Sequence, residues 1–493
     1  MSFRAALVDE TGAIRAEATL PAPASRDQKG RSEVDPEEWW SIFVAAIGHL
    51  ATAQPATFAA IEGVAICGIT RTQVFLDAQG RSVRSAMMWN DSRATDVAVR
   101  FRAMLPAGHR EGADVNAYHP VARLAWLQEQ EPDNFRRLAC VLEPKDYLNL
   151  RLTGRQASDP VSMARLLASR GTGADPDLLS VAGKSEAILP PMLEPCDRVG
   201  PVLPDLPTPL DALAGVPVFC GSNDTWTGVV GLGAMQKGVA YNLSGTTEVL
   251  GLMSDRPHMA DGLLTVDWRG LHQVGGPSQN GADTVTWLLS LLACGNERSV
   301  PVGPALDALL SGTRHEQPVL FLPYLQGERV PYWDAALRGA FIGLNRQHGA
   351  TDLAWAVLEG IAFLNGIVLE RAEAASGHPV SEIRLGGGGA RSPAWCQVKA
   401  DICNRPVWVG AAAQPGVLGS AIVAWTGLGR FSSLAEGQTK LVKTAARYQP
   451  RPERAEFYGA LRALYRRSET ALAPISRDLA ALSGAGIAKR DGA

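Results

Sequence analysis

No CxxC pair occurs among the seven cysteines (Cys67, Cys140, Cys196, Cys220, Cys294, Cys396, Cys403), and none of them stands near a histidine at metal-ligand spacing. The signatures of a zinc finger and of a redox dithiol are therefore excluded, and reduced, mostly buried thiols are expected. The eight histidines are scattered, so a metal centre or a Cys/His nucleophile would need residues gathered from distant parts of the chain. Runs of one charge are missing too: 47 Lys plus Arg face 50 Asp plus Glu, for a net charge of −3. Neither nucleic acid nor an anionic membrane is then an expected partner. We find no apolar stretch of membrane-spanning length, and Met1-Ser2-Phe3-Arg4 runs into a strand-like segment instead of a signal peptide, so a cytoplasmic location is expected. Internal repeats and low-complexity tracts are absent as well, which removes solenoids and propellers.

What is present is an ordinary globular composition, with 46% apolar and 20% charged residues. At 493 residues the chain exceeds the roughly 250 to 300 that one core supports, so two α/β domains are expected, spanning 1–236 and 237–493. A small molecule is the expected partner, and association into a homodimer stays open. Phe3 to Asp9, Glu10-Thr11-Gly12 and Ala13 to Leu20 read as a β-hairpin. Asp35-Pro36 supplies an N-cap and a first-turn proline for a helix in which Trp39, Trp40, Phe43, Ala46, Ile47 and Leu50 recur at helical spacing. Ile61 to Ile69 suits a buried strand, and Val74-Phe75-Leu76 before Asp77-Ala78-Gln79-Gly80 suits another. Helical patterns dominate from Ser92 to Leu167, and a proline-rich connection covers Leu189 to Gly215. A second α/β succession then runs from Val216 to Arg430, before a helical tail from Pro450 to Leu482.

Three turns could carry chemistry. Gly221-Ser222-Asn223-Asp224-Thr225 follows a buried strand and opens a helix, so backbone donors and one carboxylate lie beyond the strand end. Asp224 there is either a helix cap or a catalytic group. Leu243-Ser244-Gly245-Thr246-Thr247 offers unhindered amides and hydroxyls that suit phosphate oxygens. Gly386-Gly387-Gly388-Gly389-Ala390-Arg391-Ser392, between an apolar strand and a helix starting near Pro393, permits close backbone approach to a nucleotide.

In their order these pieces resemble the FGGY family of carbohydrate kinases over nearly the whole chain. Gly339-Ala340-Phe341-Ile342-Gly343-Leu344, followed after seven residues by Asp352-Leu353-Ala354-Trp355-Ala356-Val357-Leu358-Glu359, is similar to the family's C-terminal signature. Tyr118-His119-Pro120 with Arg123-Leu124-Ala125-Trp126-Leu127-Gln128-Glu129-Gln130 resembles the other signature, with Arg123 where lysine is usual. Met88-Trp89-Asn90-Asp91-Ser92-Arg93, Pro144-Lys145-Asp146-Tyr147 and Leu322-Pro323-Tyr324 with Gly327-Glu328-Arg329 resemble family segments in family order.

The resemblance implies two ribonuclease-H-like domains of the actin and hexokinase type flanking a central cleft, with sugar held by 1–236 and ATP by 237–493. It implies an ATP-dependent, Mg²⁺-assisted kinase in which Asp224 is the general base. It places Gly245 and Thr246 at the second phosphate motif, and Gly387, Gly388 and Gly389 at the adenosine motif. Thr70, Arg71, Asn90, Asp91 and Arg93 map to the sugar side. Such positioning and charge stabilisation is most of what phosphoryl transfer asks of a protein.

Two departures qualify it. The xylulokinase branch, which the chain resembles most, carries Met-His in the loop after the strand ending at Cys67, whereas this chain has Thr70-Arg71. An acceptor other than D-xylulose, or used beside it, is the corresponding expectation. The family also begins with a strand ending in Asp-x-Gly-Thr, and Ser2 to Asp9 match the strand after it. Open sheet edges are expected there, with a misplaced start or a non-catalytic sugar sensor as the two explanations.

Overall fold

Asp35 places its carboxylate on the Glu37 amide and Pro36 opens the first turn of the helix Pro36–Ala53, as the sequence predicts. The buried face of that helix, including Trp39, Trp40, Phe43, Ala46 and Leu50, packs on the hairpin Ser2–Val8/Ile14–Pro21, with Phe3 edge-on to Phe43 at 6.1 Å. These elements belong to a computed structural model that describes residues 2–22, 25–27, 30–106, 112, 115–171, 176–293 and 302–484. Cys294 lies outside the described residues, and the other six cysteines are unpaired.

Two compact units result: 1–231 with 416–441, and 232–415 with 442–493. The first break thus falls at 231/232 rather than 236/237, and 416–441, expected in the second domain, returns to the first. Close packing explains the return. A Cβ on Gly419 would lie 1.9 Å from the Thr227 carbonyl oxygen, Gln438 Nε2 donates to Val230 O at 2.7 Å, and Trp425 Nε1 donates to Asp9 O at 3.2 Å.

In the first unit, Pro217–Phe219 is the middle strand of a three-stranded sheet, parallel to Val64–Ala65 and antiparallel to Arg198–Pro201. The strand expected over 61–69 is therefore short, and it is continued only by a single bridge from Gly68 to Asn223. Among the described residues neither Ser2–Val8 nor Val64–Ala65 has a strand on its second side.

The second unit is built on a seven-stranded sheet in the order Leu264–Asp267, His272–Pro277, Glu248–Ser254, Val239–Ser244, Glu382–Gly386, Val407–Gly410, Thr444–Tyr448. Val239–Ser244, Glu382–Gly386 and Val407–Gly410 are parallel, the rest antiparallel. Against this sheet lies the helix Ala350–Ser376, of 27 residues, whose most apolar 18-residue window has a mean hydropathy of 1.6. By length and composition it could cross a membrane, which the sequence reading did not anticipate, yet 89% of its most apolar window is buried, as befits a core helix. Its family-signature acids have structural work. Asp352 accepts from the Gly349 and His315 amides, while Glu359 takes both ends of Arg314 and the Tyr458 hydroxyl. The tail is one helix, Pro452–Gly484, with Pro474 inside it.

Candidate active site

The turn after Pro217–Phe219 is specified by Gly221, whose φ is +67° and where a Cβ would stand 2.0 Å from the Ile66 carbonyl oxygen. Only glycine tolerates both conditions. Asn223, not Asp224, caps the following helix Asp224–Gly231: its Oδ1 accepts from the Trp226 amide at 2.9 Å. The cap reading of Asp224 thereby loses its basis. The Asp224 side chain is exposed, and its Oδ1 accepts from the Thr225 hydroxyl at 3.3 Å. Crowding by protein pushes its carboxyl up to about 6, against the lowering effect of hydrogen bonds from Thr225. Because the residue keeps solvent access, water offsets part of that penalty. A carboxylate in that range is suited to accept a proton near neutral pH.

Beneath this turn sits a buried ionic cluster. Lys145, on the helix Pro144–Thr153, pairs with Asp146 and, at 2.9 Å, with Asp159, and donates to Cys220 O. Burial alone would depress its ammonium, but Asp146 and Asp159 outweigh that and hold it well above its ordinary value. Asp159 in turn accepts from Ser222 Oγ at 2.7 Å, tying the cluster to the turn itself.

The Asp224 amide donates to Gly68 O at 2.8 Å, which brings the segment carrying Thr70 and Arg71 alongside. Both of those residues are half-buried. Asn90 belongs to the adjoining 87–91 segment, where its buried Oδ1 has no hydrogen-bond partner among the described residues. Beside it Trp89 is 42% exposed, an aromatic face that the sequence reading quoted without assigning a role. Asp91 and Arg93 are placed differently. Asp91 is fully buried and accepts three hydrogen bonds from the Arg93 guanidinium as well as one from the Ser32 amide. Arg93 also pairs with Glu33 at 2.6 Å and lies 5.0 Å from the Trp126 ring centre. These two shape the segment rather than offer free polar atoms.

In the second unit the two small-residue turns meet at Ser244. A Cβ on Gly387 would stand 2.4 Å from Ser244 O, and one on Gly389 would stand 2.1 Å from Ser244 Oγ. Gly388 is exposed with nothing within 4 Å of a Cβ, and Gly245 and Thr246 are accessible on the facing turn. The helix Ala282–Leu292 starts at the same place, its Ala282 amide donating to Gly245 O. A second buried network supports this turn: Lys399 donates to Asn242 at 2.7 Å and Glu248 at 3.0 Å, and Glu248 accepts from Ser244 Oγ at 2.6 Å. Nothing local marks Lys399 in the sequence, because its hydrogen-bond partners Asn365, Glu248 and Asn242 are 34, 151 and 157 positions away.

Mg²⁺ bound with a nucleotide keeps several waters and takes one or two carboxylates beside the phosphates. No cluster of three or more candidate ligands occurs among the described residues.

Residues 1–231 match the model of the N-terminal domain of the FGGY family of carbohydrate kinases, and 240–428 match that of its C-terminal domain. Xylulose kinase of Escherichia coli is 31% identical over 466 residues, covering 91% of this chain and 94% of the relative. Xylulose kinase of Bacillus subtilis is 28% identical, with 93% of each chain covered. The crystal structure of a xyloylose kinase from Brucella ovis superposes with a TM-score of 0.83 at 29% identity, covering 96% of this chain and 97% of that one.

Proposed function

This chain belongs to the FGGY family of carbohydrate kinases and is an ATP-dependent sugar kinase, and we propose that its acceptor is a ketopentose of the xylulose kind. Relatives named as xylulose kinases, matched over more than nine-tenths of both chains, support that acceptor class. The binding-only alternative has no comparable support.

The observation that carries the mechanism is the Asp224 carboxylate: released from capping by Asn223 and lifted to about 6. In this reading it accepts the proton of a sugar hydroxyl as that oxygen forms its bond to the γ-phosphorus of ATP. The bond to the β-phosphate oxygen breaks, ADP leaves, and Asp224 returns the proton to solvent. Mg²⁺ carried with the nucleotide supplies charge neutralisation at the phosphates. Thr70, Arg71 and Asn90 orient the sugar, with Asp91 and Arg93 holding their segment in place. Amides and hydroxyl at Gly245 and Thr246 take phosphate oxygens, and 387–389 admit the adenosine.

The acceptor reading is tested by sugar-dependent ADP release across ketopentoses, other ketoses, aldonates and polyols, each in wild type and Arg71→Ala. A ketopentose should be preferred, and Arg71→Ala should raise the KM for sugar more than the KM for ATP. Preference for an aldonate or polyol would overturn the acceptor class, and equal rises in both KM values would remove Arg71 from the sugar site.

A further inference from the structure

Arg123 is fully buried at 0% exposure on the helix Pro120–Gln130, and the two terminal nitrogens of its guanidinium donate to two loops. Nη1 donates to Arg71 O at 2.8 Å, to the Gln73 side-chain oxygen and to Met87 O. Nη2 donates to Met88 O at 2.6 Å and to Asp91 O at 3.4 Å. These are the 69–73 and 87–91 segments that carry Thr70, Arg71 and Asn90. Burial lowers the guanidinium to about 10, the nearby Asp91 carboxylate acting the other way, so it remains charged at working pH.

Arg71 shows what the clamp achieves. Its φ is +56°, in the left-handed region that non-glycine residues seldom occupy. Such a conformation persists where the surroundings over-determine it. Here both ends of the residue are pinned: its amide donates to Glu143 Oε1 at 2.8 Å, and its carbonyl accepts from Arg123. The Glu143 carboxyl is itself buried, which together with the neighbouring Asp146 holds it well above its ordinary range. The direction of the Arg71 side chain is thus dictated by Glu143 on one side and Arg123 on the other.

We infer that Arg123 is a positioning residue for the sugar acceptor, fixing the distance between the 69–73 and 87–91 segments so that Arg71, Trp89 and Asn90 present one surface. It touches neither substrate. Lysine, usual at this point of the signature, has one donating atom and cannot span from Arg71 O and Gln73 to Met88 O and Asp91 O as a planar fork does. The shape of this chain's sugar loop therefore depends on the guanidinium, and the inference rests on the kinase reading above.

The test compares wild type with Arg123→Lys, and with Arg123→Ala assayed with and without methylguanidinium. Arg123→Lys should raise the KM for sugar by about tenfold to a hundredfold, the scale of a small misplacement of a binding group. The KM for ATP should stay within about twofold. Methylguanidinium should restore sugar affinity to Arg123→Ala. In parallel, amide hydrogen exchange should quicken at 69–73 and 87–91 in Arg123→Lys while the strand Pro217–Phe219 keeps its protection. Unchanged sugar KM, equal changes in both KM values, or wild-type exchange at both segments would overturn the inference. A wild type inactive on every sugar would instead strike the kinase reading, and the exchange measurement would still decide the clamp.

Discussion

Two turns at strand ends, 221–225 in the first unit and 244–247 in the second, are supported in the same way and equipped differently. Under the first, Lys145 pairs with Asp159, which holds Ser222 Oγ. Under the second, Lys399 pairs with Glu248, which holds Ser244 Oγ. A buried lysine, a buried carboxylate and a turn serine recur on unrelated local sequences. The difference lies in what each turn shows to solvent: the first exposes the Asp224 carboxylate, the second only the Gly245 and Thr246 backbone and a hydroxyl. Rigid support is common to both, while proton transfer is assigned to one. Binding a phosphate requires fixed donors, and deprotonating a sugar requires a base whose affinity for protons is raised.

The strongest way to break this comparison is to remove the one unequal group. Asp224→Ala should lower turnover by about 10² to 10⁴ while sugar binding, read by calorimetry, persists. Wild-type turnover in that variant would make the two turns functionally equivalent and refute the assignment.

Removing the shared support should act on folding. Lys399→Met leaves the buried Glu248 carboxylate unpaired, a change that costs about 3 to 5 kcal/mol, so the melting temperature should drop markedly. Lys145→Met strands two carboxylates, Asp146 and Asp159, and should be the more damaging of the pair. Thermal melts of both variants check the ranking, and a larger loss for Lys399→Met would mean that the first turn does not depend on its cluster.

A smaller contrast separates framework from ligand contact within the second unit. Gly387→Ala forces a Cβ to 2.4 Å from Ser244 O at a φ of +90° and should cost at least about 1 to 2 kcal/mol from the backbone conformation alone. Gly388→Ala meets open space, so stability should change by less than about 0.5 kcal/mol. Any rise in the KM for ATP at Gly388→Ala must then come from the nucleotide. An unaltered KM there would remove 388 from the adenosine site.

What the sequence disclosed and what it withheld differ in range. Asp35, Pro36 and the spacing from Trp39 to Leu50 fix a helix locally, and Val74–Leu76 with its Asp77 turn was equally legible. The glycine turns were legible because each follows an apolar strand. Arg123 was visible only as a substitution in a signature, since its partners at 71, 73, 87, 88 and 91 are set by tertiary packing. Asp91 and Arg93 were read as contacts by their place in a segment, whereas their mutual pairing is a matter of side-chain geometry. The return of 416–441 to the first unit has no local signal, because Gly419 and Gln438 reveal their purpose only against Thr227 and Val230.

The most direct test is the pH dependence of kcat/KM for sugar, which reports the free enzyme's essential base. Asp224 must be ionised to accept the proton, and the protein crowded around this exposed carboxyl raises it toward about 6, with water offsetting part of the shift. The wild-type rate should therefore be level above neutrality and fall by about tenfold per unit as pH drops below 6. The residual activity of Asp224→Asn should lack this acid limb. An identical limb in Asp224→Asn, or a wild-type profile level down to pH 4, would contradict Asp224 as the base.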